Sequence, residues 1–113
     1  MKYLYGTFTS EQMKQQKESL HKAIFWLLLY KDPKTKDEYR FVDFEKYFKG
    51  VMLRLNGLNE LLYNPPEIIT LLSVLQAALI ESRNNPFNYK TYRKLILDAH
   101  SLIDKIMECD KYA

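Results

Sequence analysis

Apolar and polar positions alternate along most of this chain with the period of an α-helix. Between residues 41 and 62, apolar side chains recur in steps of three and four, which places them on one face of a helix. The members of this stripe are Phe41, Phe44, Phe48, Val51, Leu55, Leu58 and Leu62. A similar stripe near the end of the chain consists of Tyr92, Leu95, Ala99, Leu102, Ile106 and Cys109, flanked by Ile96 and Ile103. The pattern predicts amphipathic helices around a shared core.

Start and stop signals divide the chain into four helices. Residues that commonly cap a helix amino terminus precede each periodic segment, at Thr9, Asp43, Asn64 and Asn88. Pro33 disfavours helical geometry in the residue before it and so ends the first helix. We therefore predict helices at about residues 9–30, 43–63, 65–82 and 88–109.

The connections between these helices indicate how they are arranged. Short connections between the last three helices favour antiparallel neighbours. Residues 32–40, between the first two, are highly charged and lack periodicity, which predicts an exposed loop. The 113 residues suffice for one domain. The predicted fold is a single all-α domain over residues 1–113, either a compact four-helix bundle or a four-helix array with a charged loop between helices 1 and 2.

Composition narrows the class of protein. With 47% hydrophobic and 27% charged residues, the chain resembles ordinary globular domains and not disordered ones. The single cysteine, Cys109, excludes an intramolecular disulfide and favours a reducing compartment. No secretory signal pattern is present, so we expect a cytoplasmic protein whose mature chain is the whole chain. Residues 68–80 form an apolar stretch too short for a bilayer, and no membrane partner is expected.

Few residues are suited to catalysis or metal binding. Glu18 and His21 have the spacing of a helical metal-binding pair, but the second pair such sites need is missing, which favours a solvated helix edge. His100 and Asp104 lie one helical turn apart, and without a nucleophile this spacing favours a surface hydrogen bond. No phosphate-binding loop or known catalytic motif is present. We expect no enzyme, no cofactor and no metal site.

Two glycines interrupt the second helix. Gly50 and Gly57 each cost about 1 kcal/mol relative to alanine in a helix interior. A close contact with another helix would explain their presence, and we predict one.

The first candidate binding surface lies on helix 1. Residues 23–30 are apolar around the whole circumference of the helix, although a helix packed on one side needs only one apolar stripe. Phe25, Trp26 and Leu29 lie off the stripe expected to face the bundle. We expect these three side chains to be covered by the amino-terminal tyrosines, by the charged loop or by another protein chain. Because Trp is a typical interface anchor, these three residues are predicted to bind a protein partner or a second copy of the chain.

The second candidate surface is the most basic segment, residues 82–97, which contains no acidic residue. Its cations, which we call the basic edge, are Arg83, Lys90, Arg93 and Lys94, and they are interleaved with Phe87, Tyr89 and Tyr92. Three of the cations fall in the first turns of helix 4, where the helix dipole disfavours positive charge. The segment therefore suits a phosphate or carboxylate, with the tyrosines stacking on bases. Alternatively, the tyrosines pack inward and the cations are solvated or paired with acids on another helix.

The absence of chemistry and the abundance of aromatic residues favour a binding function. Aromatic residues make up 14% of the chain, more than a small bundle can bury. The first hypothesis is a non-enzymatic protein–protein interaction module, an adaptor or small inhibitor, that binds through exposed aromatics and the basic edge. An accessory or anti-defence protein of a phage or mobile element fits this description. The alternative is a nucleic-acid-binding helical module that uses the start of helix 4 and whose binding weakens with salt.

Overall fold

Four helices form the predicted bundle in the computed structural model, which describes residues 2–3, 6–7, 10–61 and 66–107. They are α1 (Ser10–Leu29), α2 (Phe44–Leu61), α3 (Pro66–Ser82) and α4 (Tyr89–Met107). Before α1, the two-residue strands β1 (Lys2–Tyr3) and β2 (Gly6–Thr7) pair antiparallel, with Lys2 opposite Thr7. The all-α four-helix architecture is confirmed, and the observed helix bounds lie within two residues of the predicted ones.

Two of the predicted amino-terminal caps are confirmed. The Asp43 Oδ1 atom accepts a hydrogen bond from the main-chain N–H of Lys46, at 3.2 Å. Asn88 Oδ1 accepts one from the main-chain N–H of Thr91, also at 3.2 Å. These side chains satisfy main-chain donors that have no partner within their own helix. The other two predicted caps, Thr9 and Asn64, lie outside the described residues.

The core lies where the apolar faces of the four helices meet. Its buried side chains are Leu20, Ile24, Leu27, Phe48, Val51, Leu55, Leu58, Ile68, Leu71, Leu75, Ala78, Leu79, Tyr92, Ile96, Ala99 and Ile103. Within the predicted stripe of α4, Leu95 and Leu102 are only half-buried, because Ile96 and Ile103 take the central positions. Phe41 precedes α2 and is 88% exposed. The predicted core side chains of Leu62, Ile106 and Cys109 lie outside the described part.

The helices are packed in the spatial order α1, α4, α3, α2. Helix α4 packs against both α1 and α3, and α2 packs mainly against α3. Contact between α1 and α2 is sparse, so the bundle is open along that side. Within the described residues, no helix combines the length and apolar character needed to cross a membrane.

The charged loop between α1 and α2 contains one turn of 3₁₀ helix, Lys36–Tyr39. The hydroxyl of Thr35 donates to the main-chain oxygen of Leu29 at 2.8 Å, which ties the loop to the end of α1. Most loop side chains are exposed, as predicted, but Tyr39 is half-buried.

The predicted close helix contact at Gly50 and Gly57 is wrong. An added Cβ at either glycine would find no atom of another element within 4 Å. Both positions are exposed, so neither glycine is needed for packing inside this chain.

Candidate interaction surface

Trp26 belongs to a cluster of four aromatic rings, which we call the aromatic cluster: Trp26, Tyr30, Tyr39 and Tyr47. The indole stacks on Tyr30 with ring centroids 5.7 Å apart, and the ring of Tyr39 meets it edge-on at 5.5 Å. Tyr30 in turn contacts Tyr47 of α2 edge-on at 5.2 Å. Stacked and edge-on arrangements are the favourable ones for aromatic pairs. The charged loop therefore covers Trp26 in part, through Tyr39, and leaves its side chain 38% exposed.

The three residues predicted to bind a partner lie on one side of α1 but differ in exposure. Phe25 is 51% exposed and lies about 100° around α1 from Trp26, because successive residues of an α-helix are separated by that angle. Leu29 is half-buried where the loop joins the end of α1. Trp26 alone lies in the cluster that reaches α2.

A mainly apolar groove runs between α1 and α2 beside the aromatic cluster. Its lining residues are Ala23, Val42, Asp43, Lys46, Tyr47, Gly50, Val51 and Arg54. Tyr47 belongs to both the groove and the aromatic cluster, so the two features form one continuous surface.

Two hydrogen bonds bridge this groove and define its length. The hydroxyl of Tyr47 donates to the main-chain oxygen of Ala23 at 3.3 Å, and Arg54 Nη2 donates to Gln16 Oε1 at 3.0 Å. Tyr47 and Arg54 are seven residues apart on α2, which corresponds to about 10 Å along the helix. Gly50 lies between the two bridges and places no side chain there. Burial raises the pKa of the Tyr47 hydroxyl above its ordinary value of 10.0.

The rim of the groove is cationic. Among the described residues, no carboxylate forms an ion pair with Lys46 or Arg54. Asp43, the acidic residue of the lining, accepts the hydrogen bond that caps α2. Beside this rim, the Phe41 ring is almost fully exposed, and the guanidinium of Arg40 lies 4.9 Å from its centroid.

The basic edge is divided by an ion pair. The Nε atom of Arg83 donates to Glu45 Oε1 of α2 at 2.7 Å. This hydrogen bond lowers the pKa of Glu45 and raises that of Arg83. Lys90, Arg93 and Lys94 are exposed and form no ion pair within the described part of the chain. Of the four cations, Arg83 therefore pairs with an acid on another helix, which was one of the predicted alternatives.

The prediction that Tyr92 stacks on a nucleic-acid base is wrong. Tyr92 is fully buried, and its ring lies 5.7 Å from that of Phe87. Tyr89 is half-buried; burial raises the pKa of its hydroxyl, and the nearby Asp32 carboxylate adds to the rise. Tyr92 thus packs inward, as the alternative prediction states.

Histidine contacts differ from those the sequence predicts. Glu18 is exposed, but His21 is half-buried and faces α4 and not a solvated edge. The carboxylate of Asp104 accepts a hydrogen bond from His21 at 3.1 Å, so the hydrogen bond predicted between Asp104 and His100 is wrong. No group of three or more His, Cys, Asp or Glu side chains in the described region is arranged to hold a metal ion.

The periodic pattern did not reveal the groove, because which helices are neighbours depends on contacts distant in sequence. One signal was present: Gly50, a costly residue inside a helix, lies on the groove wall.

Comparison with known proteins identifies no relative, since no protein-family model, curated protein or solved structure matches the chain.

Proposed function

We propose that this chain is a non-enzymatic cytoplasmic protein that binds another protein, as an adaptor or small inhibitor, by receiving an acidic amphipathic helix in the groove between α1 and α2. The observation that supports this proposal is the open, mainly apolar groove, continuous with the half-exposed aromatic cluster. Exposed apolar surface with aromatic residues and a polar rim is typical of protein contacts.

The shape of the groove favours a helix as the occupant. The groove between α1 and α2 runs along both helices, and helix-in-groove binding uses apolar side chains at every third or fourth position of the bound helix. The bridged stretch of about 10 Å holds two such side chains, one turn apart. They would contact Ala23 and Val51, and the missing side chain at Gly50 would let the partner backbone approach closely.

The charge of the rim favours acidic side chains on that helix. Lys46 and Arg54 flank the apolar lining without a carboxylate partner among the described residues. Lys49 adds a third cation on the neighbouring exposed surface of α2. A partner with glutamates beside its apolar face would complement this surface and would associate faster at low salt.

A peptide-binding experiment with matched variants tests the proposal. The probes are synthetic helical peptides with apolar residues at every third or fourth position, flanked either by glutamates or by lysines, and fluorescence anisotropy measures their binding. Gly50→Leu fills the groove, whereas Gly57→Leu adds the same side chain to α2 outside the groove lining. We expect glutamate-flanked peptides to bind the wild type and Gly57→Leu, and to lose at least about tenfold in affinity with Gly50→Leu.

Two results would overturn the proposal. One is equal binding to Gly50→Leu and Gly57→Leu, or no preference for the glutamate-flanked peptides. The other is a wild-type dimer in sedimentation velocity that Gly50→Leu converts to a monomer, which would make a second copy the occupant.

A further inference from the structure

The two histidines of this chain contact each other where α1 packs against α4. His21 Nδ1 lies 2.7 Å from His100 Nε2, with ring centroids 3.9 Å apart and ring planes tilted by 50°. On the other side of His21, Nε2 lies 3.1 Å from Asp104 Oδ1. The same oxygen forms a 2.8 Å ion pair with Lys17 Nζ. A line of four polar groups thus joins α1 to α4.

The positions of the protons follow from the chemistry of these groups. An ionised carboxylate only accepts hydrogen bonds, so His21 Nε2 must carry the hydrogen that faces Asp104. When both rings are neutral, His21 Nδ1 accepts the hydrogen on His100 Nε2. When His21 alone is protonated, its Nδ1 donates and His100 Nε2 accepts. One hydrogen lies between the rings in both cases, whereas two protonated rings would place hydrogens on both facing nitrogens.

We propose that His21 and His100 form an acid-sensitive clasp, which holds the amino-terminal half of α1 against α4 while at most one ring is charged and opens when both rings are protonated. This inference is independent of the proposed partner, since it rests on the contact between α1 and α4.

The surrounding charges agree with this behaviour. Burial lowers the pKa of His100, the charge of His21 lowers it further, and Asp104 opposes both effects. Hydrogen bonds from Lys17 and then His21 lower the pKa of Asp104, so it stays ionised in mild acid. Among the described residues, no charged group of α2 or α3 contributes to the pKa shift of His100.

The direction of the pH effect follows from the lowered pKa of His100. The folded protein binds this proton less tightly than the unfolded chain does, where an ordinary histidine titrates near 6.5. The stabilising contribution is therefore complete above that pH and is lost as the pH falls through the lower folded pKa. The chain has two histidines, and both belong to this contact, so few other side chains titrate in the pH range of histidine.

The part of the structure that opens is the first half of α1. Of residues 11–20, Leu20 alone belongs to the core, and Met13 is buried outside it, whereas the second half of α1 contributes Ile24 and Leu27 to the core with Ala23 and Leu28 packed against it. Fewer apolar contacts therefore hold the first half once the clasp opens, and local opening needs no global unfolding.

Amide hydrogen exchange, corrected for the intrinsic effect of pH, tests the clasp on the full chain at about pH 7.5 and about pH 5. In the wild type, we expect residues 10–21 to lose protection at the lower pH, by up to about tenfold for each pH unit between the ordinary histidine pKa of 6.5 and the lower folded pKa of His100. His100→Gln should have similar protection at both pH values. Ser101→Gln, an exposed neighbour on α4, should behave like the wild type.

A second variant and an NMR titration separate the clasp from a simple folding defect. Asp104→Asn removes the group that raises the pKa of His100, so the loss of protection should move to lower pH. Proton signals of the His100 ring should show it titrating below the ordinary histidine pKa of 6.5. The proposal fails if both rings become charged without faster exchange in residues 10–21, or if His100→Gln loses as much protection as the wild type.

Discussion

The hydroxyl of Tyr92 on α4 donates a 2.7 Å hydrogen bond to the main-chain oxygen of Leu27 on α1. In a continuing helix the N–H of Lys31 would bond to that oxygen, but it bonds to Leu28 because α1 ends here. The last carbonyl groups of a helix need partners from outside it. Tyr92 supplies one from another helix, and its complete burial excludes water as a substitute.

Replacing Tyr92 with phenylalanine removes the hydroxyl, so the main-chain oxygen of Leu27 loses this hydrogen bond. We expect Tyr92→Phe to lower the free energy of unfolding by about 1–3 kcal/mol, the cost of an unsatisfied buried polar group. Urea unfolding followed by circular dichroism measures the change. Tyr30→Phe is the matched control, because the Tyr30 hydroxyl makes no hydrogen bond within the described residues, and should change stability by less than about 0.5 kcal/mol. Equal losses in the two variants would contradict this role of Tyr92.

Alanine at Gly57 should stabilise the protein. The position is helical and exposed, and a Cβ there would meet no atom of another element within 4 Å. Relative to glycine, alanine reduces the entropy lost on folding, so Gly57→Ala should raise the free energy of unfolding by about 0.5–1 kcal/mol. Thermal unfolding of the variant and the wild type measures the gain. A lower midpoint for the variant would show that the glycine has a structural role.

Lys31 should titrate below its ordinary pKa of 10.5. Its ammonium group lies 4.4 Å from the ring centroid of Phe44 and 5.6 Å from that of Phe87. Burial against these rings lowers the pKa, and Glu45 partly offsets the effect. Because the folded state holds this proton less tightly than the unfolded state, the contribution of Lys31 to stability should rise as the pH increases through the lysine range.

Carbon-13 NMR of the lysine side chains measures that pKa, with Lys31→Met identifying the signal. A Lys31 signal that titrates at or above 10.5 would contradict the effect of burial.

Nucleic-acid binding through the basic edge should be weak and purely electrostatic. Tyr92 is buried and Arg83 is paired with Glu45, so the cations outside ion pairs among the described residues of this edge are Lys90, Arg93 and Lys94. Three phosphate contacts predict a slope of about −2.7 for log affinity against log salt on duplex DNA.

Anisotropy of labelled duplex and single-stranded oligonucleotides at several salt concentrations measures this slope. The double variant Arg93→Glu, Lys94→Glu should abolish the binding of these oligonucleotides. Tight binding that persists at high salt would instead favour a nucleic-acid function over the proposed protein partner.

Features that depend on neighbouring residues could be predicted from the sequence. The caps at Asp43 and Asn88 and the bounds of the helices follow from local side-chain chemistry and periodicity, and these predictions are confirmed. The buried positions of α2, Phe48, Val51, Leu55 and Leu58, follow in the same way, because the helical period determines which residues share a face.

Features that depend on which helices meet could not be predicted. The pattern placed Tyr92 on an apolar stripe beside three cations, which favoured a buried ring but also allowed an exposed one. His21 and His100 are 79 positions apart, so their contact requires α1 and α4 to be neighbours. The same choice of neighbours makes the contact between α1 and α2 sparse, creates the groove and places Gly50 on an open face.

The packing of α1 against α4 also determines the order in which the chain can fold during synthesis. Leu27 and Tyr92 are 65 positions apart, whereas α3 and α4 are adjacent in sequence and can pack as a helical hairpin. Closing the longer loop costs more chain entropy, and contacts of high sequence separation form slowly. The apolar face of α1 leaves the ribosome well before α4, its main packing partner, has been translated. Helix α1 is synthesised before α4 but is therefore among the last of the four helices to be buried, and in the nascent chain its apolar face is available to chaperones.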